Sequence, residues 1–160
     1  MAEMKLIALA GKQEFTTTFE FDAPRDVVFR VYADPQLIPQ WWGPRTLTTV
    51  VEEMDVRPGG SWRIIQRDAD GAEHAFHGVY HEVAAPERIV GTFEYEGTPG
   101  HVMLETVSFE ERGGRTLMTD LSVFQSVADR DAMIGAGMEQ GAAESMHRLA
   151  ELLAKPGAAR

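Results

Sequence analysis

The chain has 160 residues, of which 44% are hydrophobic and 25% are charged, with a formal net charge of −10 at pH 7 and no cysteine. This composition is typical of a globular protein, and its negative charge argues against nucleic acids and anionic membranes as partners, because their phosphates attract basic surfaces. The absence of cysteine excludes disulfides, thiol chemistry and cysteine-ligated zinc.

No repeat, low-complexity segment or linker divides the sequence, and a chain of this length is most simply one domain. We therefore predict a single domain over residues 1–160, with a core from about 13 to 155. The N-terminal segment MKLIALAG has too short an apolar run for a secretory signal, and no stretch approaches the length of a membrane span. On this basis we expect a cytoplasmic protein.

The first part of the sequence predicts one strand and two short helices. The segment EFTTTFEFDAP is rich in Phe and Thr, which favour strands. A short helix follows, with Pro24 in its first turn and an apolar stripe of Val27, Val28 and Val31, and it ends before Pro35. The segment QLIPQWW predicts one further irregular turn.

From Thr46 onward, turn signals separate further strand-like segments. We predict strands in LTTVVEEMDVR, SWRIIQR, EHAFHGVYHEV, RIVGTFEYE, HVMLETVSFEE and RTLMTDLSVF, which makes seven strands with the first one. Short strands joined by tight turns predict an antiparallel meander that is strongly bent or part of a barrel.

The C-terminal part of the sequence changes to a helical period. Ser126 and Asp129 resemble a capping box, and Gly135 and Gly137 predict a break before one long helix to about Lys155. One stripe of this helix carries Met138, Ala142, Ser145, Leu149 and Leu152. The small residues of its first half either allow close approach to the sheet or leave space, whereas the leucines of its second half are expected to fill the other end.

These elements predict an α+β fold in which the seven-stranded bent antiparallel sheet wraps around the long C-terminal helix, with two short helices after the first strand. Because such a sheet cannot close flat on a single helix, we expect a cavity between them.

Several segments, in this order and spacing, resemble one known family. They are FDAP, WWGP, DVRPGG, GVYHEV with PERIV, ETVSFEE, and RDAMIGAGMEQGAAES. The resemblance extends from about Phe15 to Leu153. It is to bacterial proteins similar to the C-terminal domain of the activator of the heat-shock-protein-90 ATPase, in the START-like, birch-pollen-allergen-like SRPBCC superfamily. It implies the helix-grip fold.

The resemblance implies a range of functions, because the superfamily includes lipid carriers, hormone receptors, polyketide cyclases and aromatases, and chaperone-associated domains. We expect binding of a small, mostly hydrophobic or aromatic molecule, with no cofactor. A cyclase- or dehydratase-like enzyme and a chaperone-associated partner-binding module are the alternatives. Eukaryotic chaperone activators carry a further N-terminal domain that docks on the chaperone, and nothing in this sequence resembles it, which makes a chaperone partner doubtful. A homodimer is compatible with the sequence.

The candidate ligand-binding residues follow from strand alternation, because residues two apart share one face of a sheet. Relatives carry apolar residues at most of the corresponding positions, which assigns one parity of each strand to the concave face. In the last strand Leu117, Leu121 and Val123 favour the opposite parity. The predicted pocket is lined by Trp42, Trp62, Ile64, Phe93, Tyr95, Met103, Glu105, Met118, Asp120, Met138 and Ala142.

Glu105 and Asp120 are the candidate chemical groups. If the parity assignment holds, both point inward from neighbouring strands, where a carboxylate must pair, take up a proton or meet water. In an enzyme they would be the acid–base residues. The structural alternative, which we favour, is that a bulge turns one of them outward or that Glu105 bonds an internal polar partner.

Other chemistry has little support in the sequence. His77 and His81 share a strand face but lie roughly 13 Å apart in an extended strand, too far for one metal ion, so no metal site is predicted. No Gly-x-Ser-x-Gly motif, Ser/His/Asp pattern or phosphate-binding loop is present.

The adjacent tryptophans Trp41 and Trp42 lie between Pro39 and Pro44, which fix the backbone on both sides. The two rings must therefore diverge. We expect Trp41 to anchor this corner in the core and Trp42 to cover the mouth of the pocket. The alternative is that both rings are core anchors.

Overall fold

The computed structural model describes residues 2–157 and contains one eight-stranded sheet in which every neighbouring pair is antiparallel. The strand order is β1-β2-β8-β7-β6-β5-β4-β3, so the first strands return to pair with the last one. The strands are β1 Lys5–Ile7, β2 Glu14–Phe21, β3 Thr48–Met54, β4 Ser61–Arg67, β5 Glu73–Ala84, β6 Arg88–Tyr95, β7 Val102–Arg112 and β8 Arg115–Val123.

Four helices accompany the sheet in the described part of the chain. They are α1 Arg25–Tyr32, α2 Ile38–Trp41, α3 Val127–Gly135 and α4 Met138–Leu153. Helix α1 begins directly after Pro24, and the hydroxyl of Ser126 accepts a hydrogen bond from the amide of Asp129 at 3.0 Å at the start of α3. Gly137, with φ of 86°, lies in the left-handed region between α3 and α4, which explains the predicted break.

The predicted α+β helix-grip architecture is confirmed, with one difference in the strand count. The sheet has eight strands rather than seven, because residues Lys5–Ile7 pair with Thr16–Thr18 of β2. This three-residue edge strand has alternate residues exposed, and three residues are too few to establish a period in the sequence.

The core lies between the concave face of the sheet and the second half of α4. Leu149 is fully buried among aromatic and aliphatic side chains from β2, α1 and β7, including Phe21, Val28 and Phe109. Register shifts between Val51 and Glu53 and between Tyr80 and Glu82 interrupt β3 and β5, and such bulges increase local bending. Within residues 2–157, none of the helices combines the length and the apolar character needed to cross a membrane.

Candidate functional site

A cavity of about 350 Å³ lies between the concave face of the sheet and the first half of α4. Strands β2 to β8 form one wall, and the two short helices α1 and α2 contribute to another. Met138, Gly141 and Ala142 of α4 lie over the cavity. Because Gly141 and Ala142 are small, they leave the space unfilled. Further along α4, Leu149 and Leu152 fill the same interior completely.

The strand alternation places the predicted faces inward. On β8, Thr116, Met118 and Ser122 are buried, whereas Leu117 and Leu121 on the opposite parity are half-buried. The inner face of β8 is therefore the one that carries Thr116, Met118 and Ser122, and not the one that carries the two leucines. β8 keeps this face inward although its other face carries leucines, because β8 pairs with both β2 and β7 and the register of these pairings fixes its orientation.

The cavity brings together every predicted pocket residue except Tyr95. These residues are Trp42, Trp62, Ile64, Phe93, Met103, Glu105, Met118, Asp120, Met138 and Ala142. Tyr95 has the parity of Phe93 but is the last residue of β6 and lies outside the cavity wall. Its hydroxyl lies 3.0 Å from Nδ1 of His74, and its ring packs on Phe76 with the ring centroids 5.2 Å apart. The prediction that Tyr95 lines the pocket is therefore wrong, because parity gives the face but not the position along the strand.

Sequence reasoning missed several lining residues, among them Tyr32, Trp41, Gln66, Phe76 and Tyr80. Phe76 and Tyr80 share a parity on β5, so the same alternation would have identified them had that strand been assigned a face. Tyr32 and Trp41 come from the short helices, whose contribution to the cavity depends on how they pack and not on any local period.

Methionine is an unusually frequent residue in the cavity wall. Met103, Met118 and Met138 are predicted members, and the structure adds Met4, Met54, Met133 and Met146. These seven are all of the chain's eight methionines except Met1. Unbranched thioether side chains adapt to irregular shapes, so this wall can fit ligands of different outline.

The two adjacent tryptophans diverge. Trp41 is only 2% exposed, and its ring packs on Tyr32 with the centroids 5.1 Å apart. Trp42 is half-buried and meets Phe76 edge to face at 5.4 Å in the cavity wall. The backbone changes from helical at Trp41 to extended at Trp42, where α2 ends, and this change separates the rings.

The corner that contains the tryptophans is attached to α4 by hydrogen bonds. The hydroxyl of Ser145 accepts from the amide of Gly43 at 2.8 Å, and Arg148 donates to the carbonyl of Gly43 at 2.8 Å. Gly43 has φ of 88°, and a Cβ built there would lie 1.8 Å from Nε2 of Gln66. Glycine is thus required at this position by both its backbone conformation and its close neighbour.

Glu105 and Asp120 form an acidic pair in the cavity wall. Glu105 lies opposite Ser122 and Asp120 opposite Val107 on the paired strands β7 and β8, so the two acids are diagonal neighbours on the inner face. Two carboxyl groups placed side by side on neighbouring strands repel each other when both are ionised. Burial, followed by the negative charge of Glu105, raises the pKa of Asp120 well above its usual range, while a hydrogen bond from Ser122 at 3.3 Å opposes this rise.

Two tyrosines share the electrostatic environment of the acidic pair. Burial and then the charges of Glu105 and Asp120 raise the pKa of Tyr32, and burial and Glu105 raise the pKa of Tyr80. Both phenols therefore keep their protons. Among residues 2–157, no lysine, arginine or histidine lines the cavity, so the described wall supplies no basic partner for the pair.

Two buried donors lack a partner in the described part of the chain. They are the indole Nε1 of Trp41 and the amide Nε2 of Gln66, both in side chains that contribute to the cavity wall. Trp41 and Gln66 are 2% and 5% exposed. A buried donor without an acceptor is costly to the folded state, and such groups in native proteins call for a specific explanation.

The histidines do not form a metal site in the described residues, where no group of three or more His, Asp or Glu side chains has suitable geometry. On the outer face His77 contacts Glu96 at 3.0 Å and Glu94 at 3.2 Å. Arg63 bonds Glu96 at 2.8 Å, and the two contacts lower the pKa of Glu96 to about 2, the bond from Arg63 being the larger cause.

The family model of the Activator of Hsp90 ATPase homolog 1-like proteins matches residues 22–154 of the chain. The chain belongs to this family. The match spans α1 to α4 and therefore includes strands β3 to β8 of the cavity wall but not β2. A search among curated proteins found no significant match.

Solved structures of other bacterial proteins have the same fold. A protein from Arthrobacter aurescens is 26% identical with a TM-score of 0.87, covering 98% of this chain and 94% of that one. Protein Ms6760 from Mycobacterium smegmatis is 24% identical with a TM-score of 0.82, covering 93% of this chain and 97% of that one. A protein from Rhodobacter sphaeroides is 19% identical with a TM-score of 0.86, covering 95% and 98%.

Proposed function

We propose that this protein binds a small, mostly apolar molecule in the cavity between the sheet and α4. The observation that carries the proposal is an internal space of about 350 Å³ that the fold leaves unfilled, lined mainly by aromatic and methionine side chains. Ligand pockets in proteins have volumes of about 300–1,000 Å³ and mainly apolar walls with a few polar groups. A space of this size suits a ligand of two or three fused or linked rings.

The arrangement of aromatic rings supports a flat ligand. Trp42, Phe76, Phe93 and Trp62 form a continuous series in which neighbouring centroids are 5.4 Å, 5.4 Å and 5.8 Å apart. Such rings present extended faces and edges on which an aromatic molecule can stack. Trp42 is half-buried at one end of this series, and we assign it the role of covering the mouth of the cavity.

A fluorescence titration with an uncharged apolar dye, N-phenyl-1-naphthylamine, tests this function. We expect saturable binding with one site per chain, accompanied by a blue shift of the dye emission. The variant Ala142→Leu, which fills the cavity, should weaken binding about tenfold because it removes space for the rings. Ala143→Leu is the matched control, since Ala143 lies next to Ala142 on α4 but does not line the cavity.

Native mass spectrometry of protein purified from its own host complements the titration. A copurified molecule lost on denaturation would identify the physiological ligand class. If the dye does not bind, and repeated preparations contain no bound molecule, the binding function is wrong.

An acid–base enzyme is the second candidate, and the pair formed by Glu105 and Asp120 favours it. Both carboxyl groups lie in one wall of one cavity, and burial raises the pKa of Asp120, which suits an acid in the chemistry of a bound ligand. A cyclase- or dehydratase-like reaction would use this combination. Chemical analysis of the copurified molecule before and after incubation with fresh protein distinguishes the candidates: an enzyme converts it and Asp120→Asn stops the conversion, whereas a binding protein returns it unchanged.

A further inference from the structure

The acidic pair in an otherwise apolar and aromatic cavity identifies the charge of the ligand. We propose that the cavity selects a cation, namely a protonated amine attached to an apolar or aromatic body, whose ammonium group is bound by Glu105 and Asp120. This inference rests on the proposed binding function and specifies the class of molecule bound there.

The charge balance of the wall is the first step. Glu105 and Asp120 are diagonal neighbours on the inner face of the sheet and both line the cavity, so this wall carries the acidic charge of two carboxyl groups in one space. No basic side chain among residues 2–157 lines the cavity to neutralise it. A buried charge without an opposite partner is costly. A ligand that brings one positive charge removes this cost, and a ligand that brings a negative charge increases it.

The surrounding side chains are also suited to a cation. Aromatic faces attract ammonium groups through their negative quadrupole, and Tyr32 and Tyr80 lie close enough to the acidic pair that its charge raises the pKa of both phenols. Thr17 and Ser122 line the cavity beside the pair, since both lie opposite or next but one to Asp120 on the sheet. Their hydroxyl oxygens can accept the remaining ammonium protons.

The unpartnered donors of Trp41 and Gln66 provide an independent sign that this wall is completed by a ligand. Each is more than nine-tenths buried, and neither has an acceptor among the described residues. The wall therefore contains donors without an acceptor and a carboxylate without a positive partner. An ammonium group can satisfy only the carboxyl groups, since it has no lone pair with which to accept from Trp41 or Gln66. The two donors therefore call for an oxygen or nitrogen acceptor elsewhere on the ligand.

Three naphthalene derivatives that differ only in the polar group test the proposal. We would measure displacement of N-phenyl-1-naphthylamine by naphthylmethylamine, naphthylmethanol and naphthoate, at pH 7 and low salt. We expect the amine to bind at least about tenfold more tightly than the alcohol, because a buried opposite charge strengthens binding. The carboxylate should bind most weakly.

The double variant Glu105→Gln/Asp120→Asn removes the charge of the pair while keeping its shape. A double variant is needed because either acid can hold the negative charge when the other is replaced. We expect the double variant to bind the amine and the alcohol equally, the preference being the ratio of the two affinities measured on the same variant. Glu110→Gln is the control: it lies on β7 but has the opposite parity to Glu105 and is exposed, so it should keep the preference for the amine.

The outcomes separate this inference from the function on which it rests. Dye binding without preference for the amine, or with preference for the carboxylate, overturns the cation proposal and leaves apolar binding intact. A preference that survives in the double variant also overturns it, because the charge would then come from elsewhere. Absence of binding by the dye and all three compounds overturns both. Should the double variant fail to fold, the comparison of the three compounds on the native chain still decides.

Discussion

The two halves of helix α4 face the same sheet with opposite results. The second half places Leu149 and Leu152 in a completely filled core, whereas the first half presents Gly141 and Ala142 to a cavity. Packing over the whole helix would stabilise the fold more than packing over half of it, because each buried apolar side chain contributes about 1.5–3 kcal/mol. The fold thus gains its stability at one end of the helix and keeps space at the other.

The largest expected effect is a loss of stability at the filled end. Leu149→Ala should lower the free energy of unfolding by about 3–5 kcal/mol, because it removes a fully buried side chain and leaves a void. Chemical denaturation measures the change. Leu104→Ala is the control, since Leu104 is 43% exposed on the outer face. Equal losses in the two variants would show that α4 is not the centre of the core.

The tryptophan pair divides stability and binding between two neighbouring residues. Trp41→Ala should cost about 3 kcal/mol or more, as expected for a buried large aromatic side chain. Trp42→Ala should lower the free energy of unfolding clearly less, because that ring is half-buried. Its main effect should be weaker dye binding. Denaturation and dye titration of both variants test this division. Equal losses of stability would mean that both rings are core anchors and that the cavity has no cover.

Filling the cavity beside the first half of α4 should weaken dye binding with little loss of stability, the reverse of removing a side chain from the filled core beside its second half. Ala142→Leu should change the free energy of unfolding by less than about 1.5 kcal/mol, because the added methyl groups enter existing space, while dye binding falls. The measurement is denaturation in parallel with titration, with Ala143→Leu as the control. A large destabilisation by Ala142→Leu would indicate that no usable space is present beside α4.

The acidic pair predicts a pH dependence of stability with a definite sign. Asp120 interacts with Glu105, Tyr32 and Ser122, and its folded-state pKa lies above the unfolded value of about 3.9. The folded state therefore binds the extra proton between these two pKa values, and stability falls as pH rises through this window. Asp120→Asn should remove that fall, gaining about 1 kcal/mol or more over the native chain at the upper end of the window.

Denaturation of the native and Asp120→Asn chains at a series of pH values measures this difference. Curves that remain parallel across the window would contradict the raised pKa of Asp120.

The smallest effect is expected on the outer face and has the opposite sign. Bonds from Arg63 and His77 lower the pKa of Glu96 to about 2, so its contribution is present above the unfolded value of about 4.3 and is lost as pH falls through about 2. Because Glu96 is exposed to solvent, the effect on stability should be small. An NMR titration of its side-chain carboxyl carbon should have its midpoint near 2, and a midpoint near 4 would contradict the ion pair.

The sequence predicts the sheet, the helices and most of the cavity wall because these follow from local periods. Strand alternation groups Met103 with Glu105 on one face, and the composition of α4 distinguishes its two halves. The inner face itself was assigned from the resemblance, and for Asp120 it ran against the leucines of the same strand. Parity does not give position along a strand, which is why Tyr95 was wrongly placed in the wall. The roles of Tyr32 and Gln66 depend on contacts between distant segments, and no local pattern in the sequence records such contacts.

Methyl NMR of methionine tests the binding claim most directly, because the cavity wall contains all of the chain's eight methionines except Met1. We would label the methionine, leucine and valine methyl groups with carbon-13, add N-phenyl-1-naphthylamine and follow each resonance, with the exposed Leu104 and Val50 methyl groups as outer-face references. The account predicts shifts of the wall methionines, such as Met103, Met118 and Met138, with no change at the references. Unchanged methionine resonances at saturating dye, or shifts confined to the outer face, would contradict it.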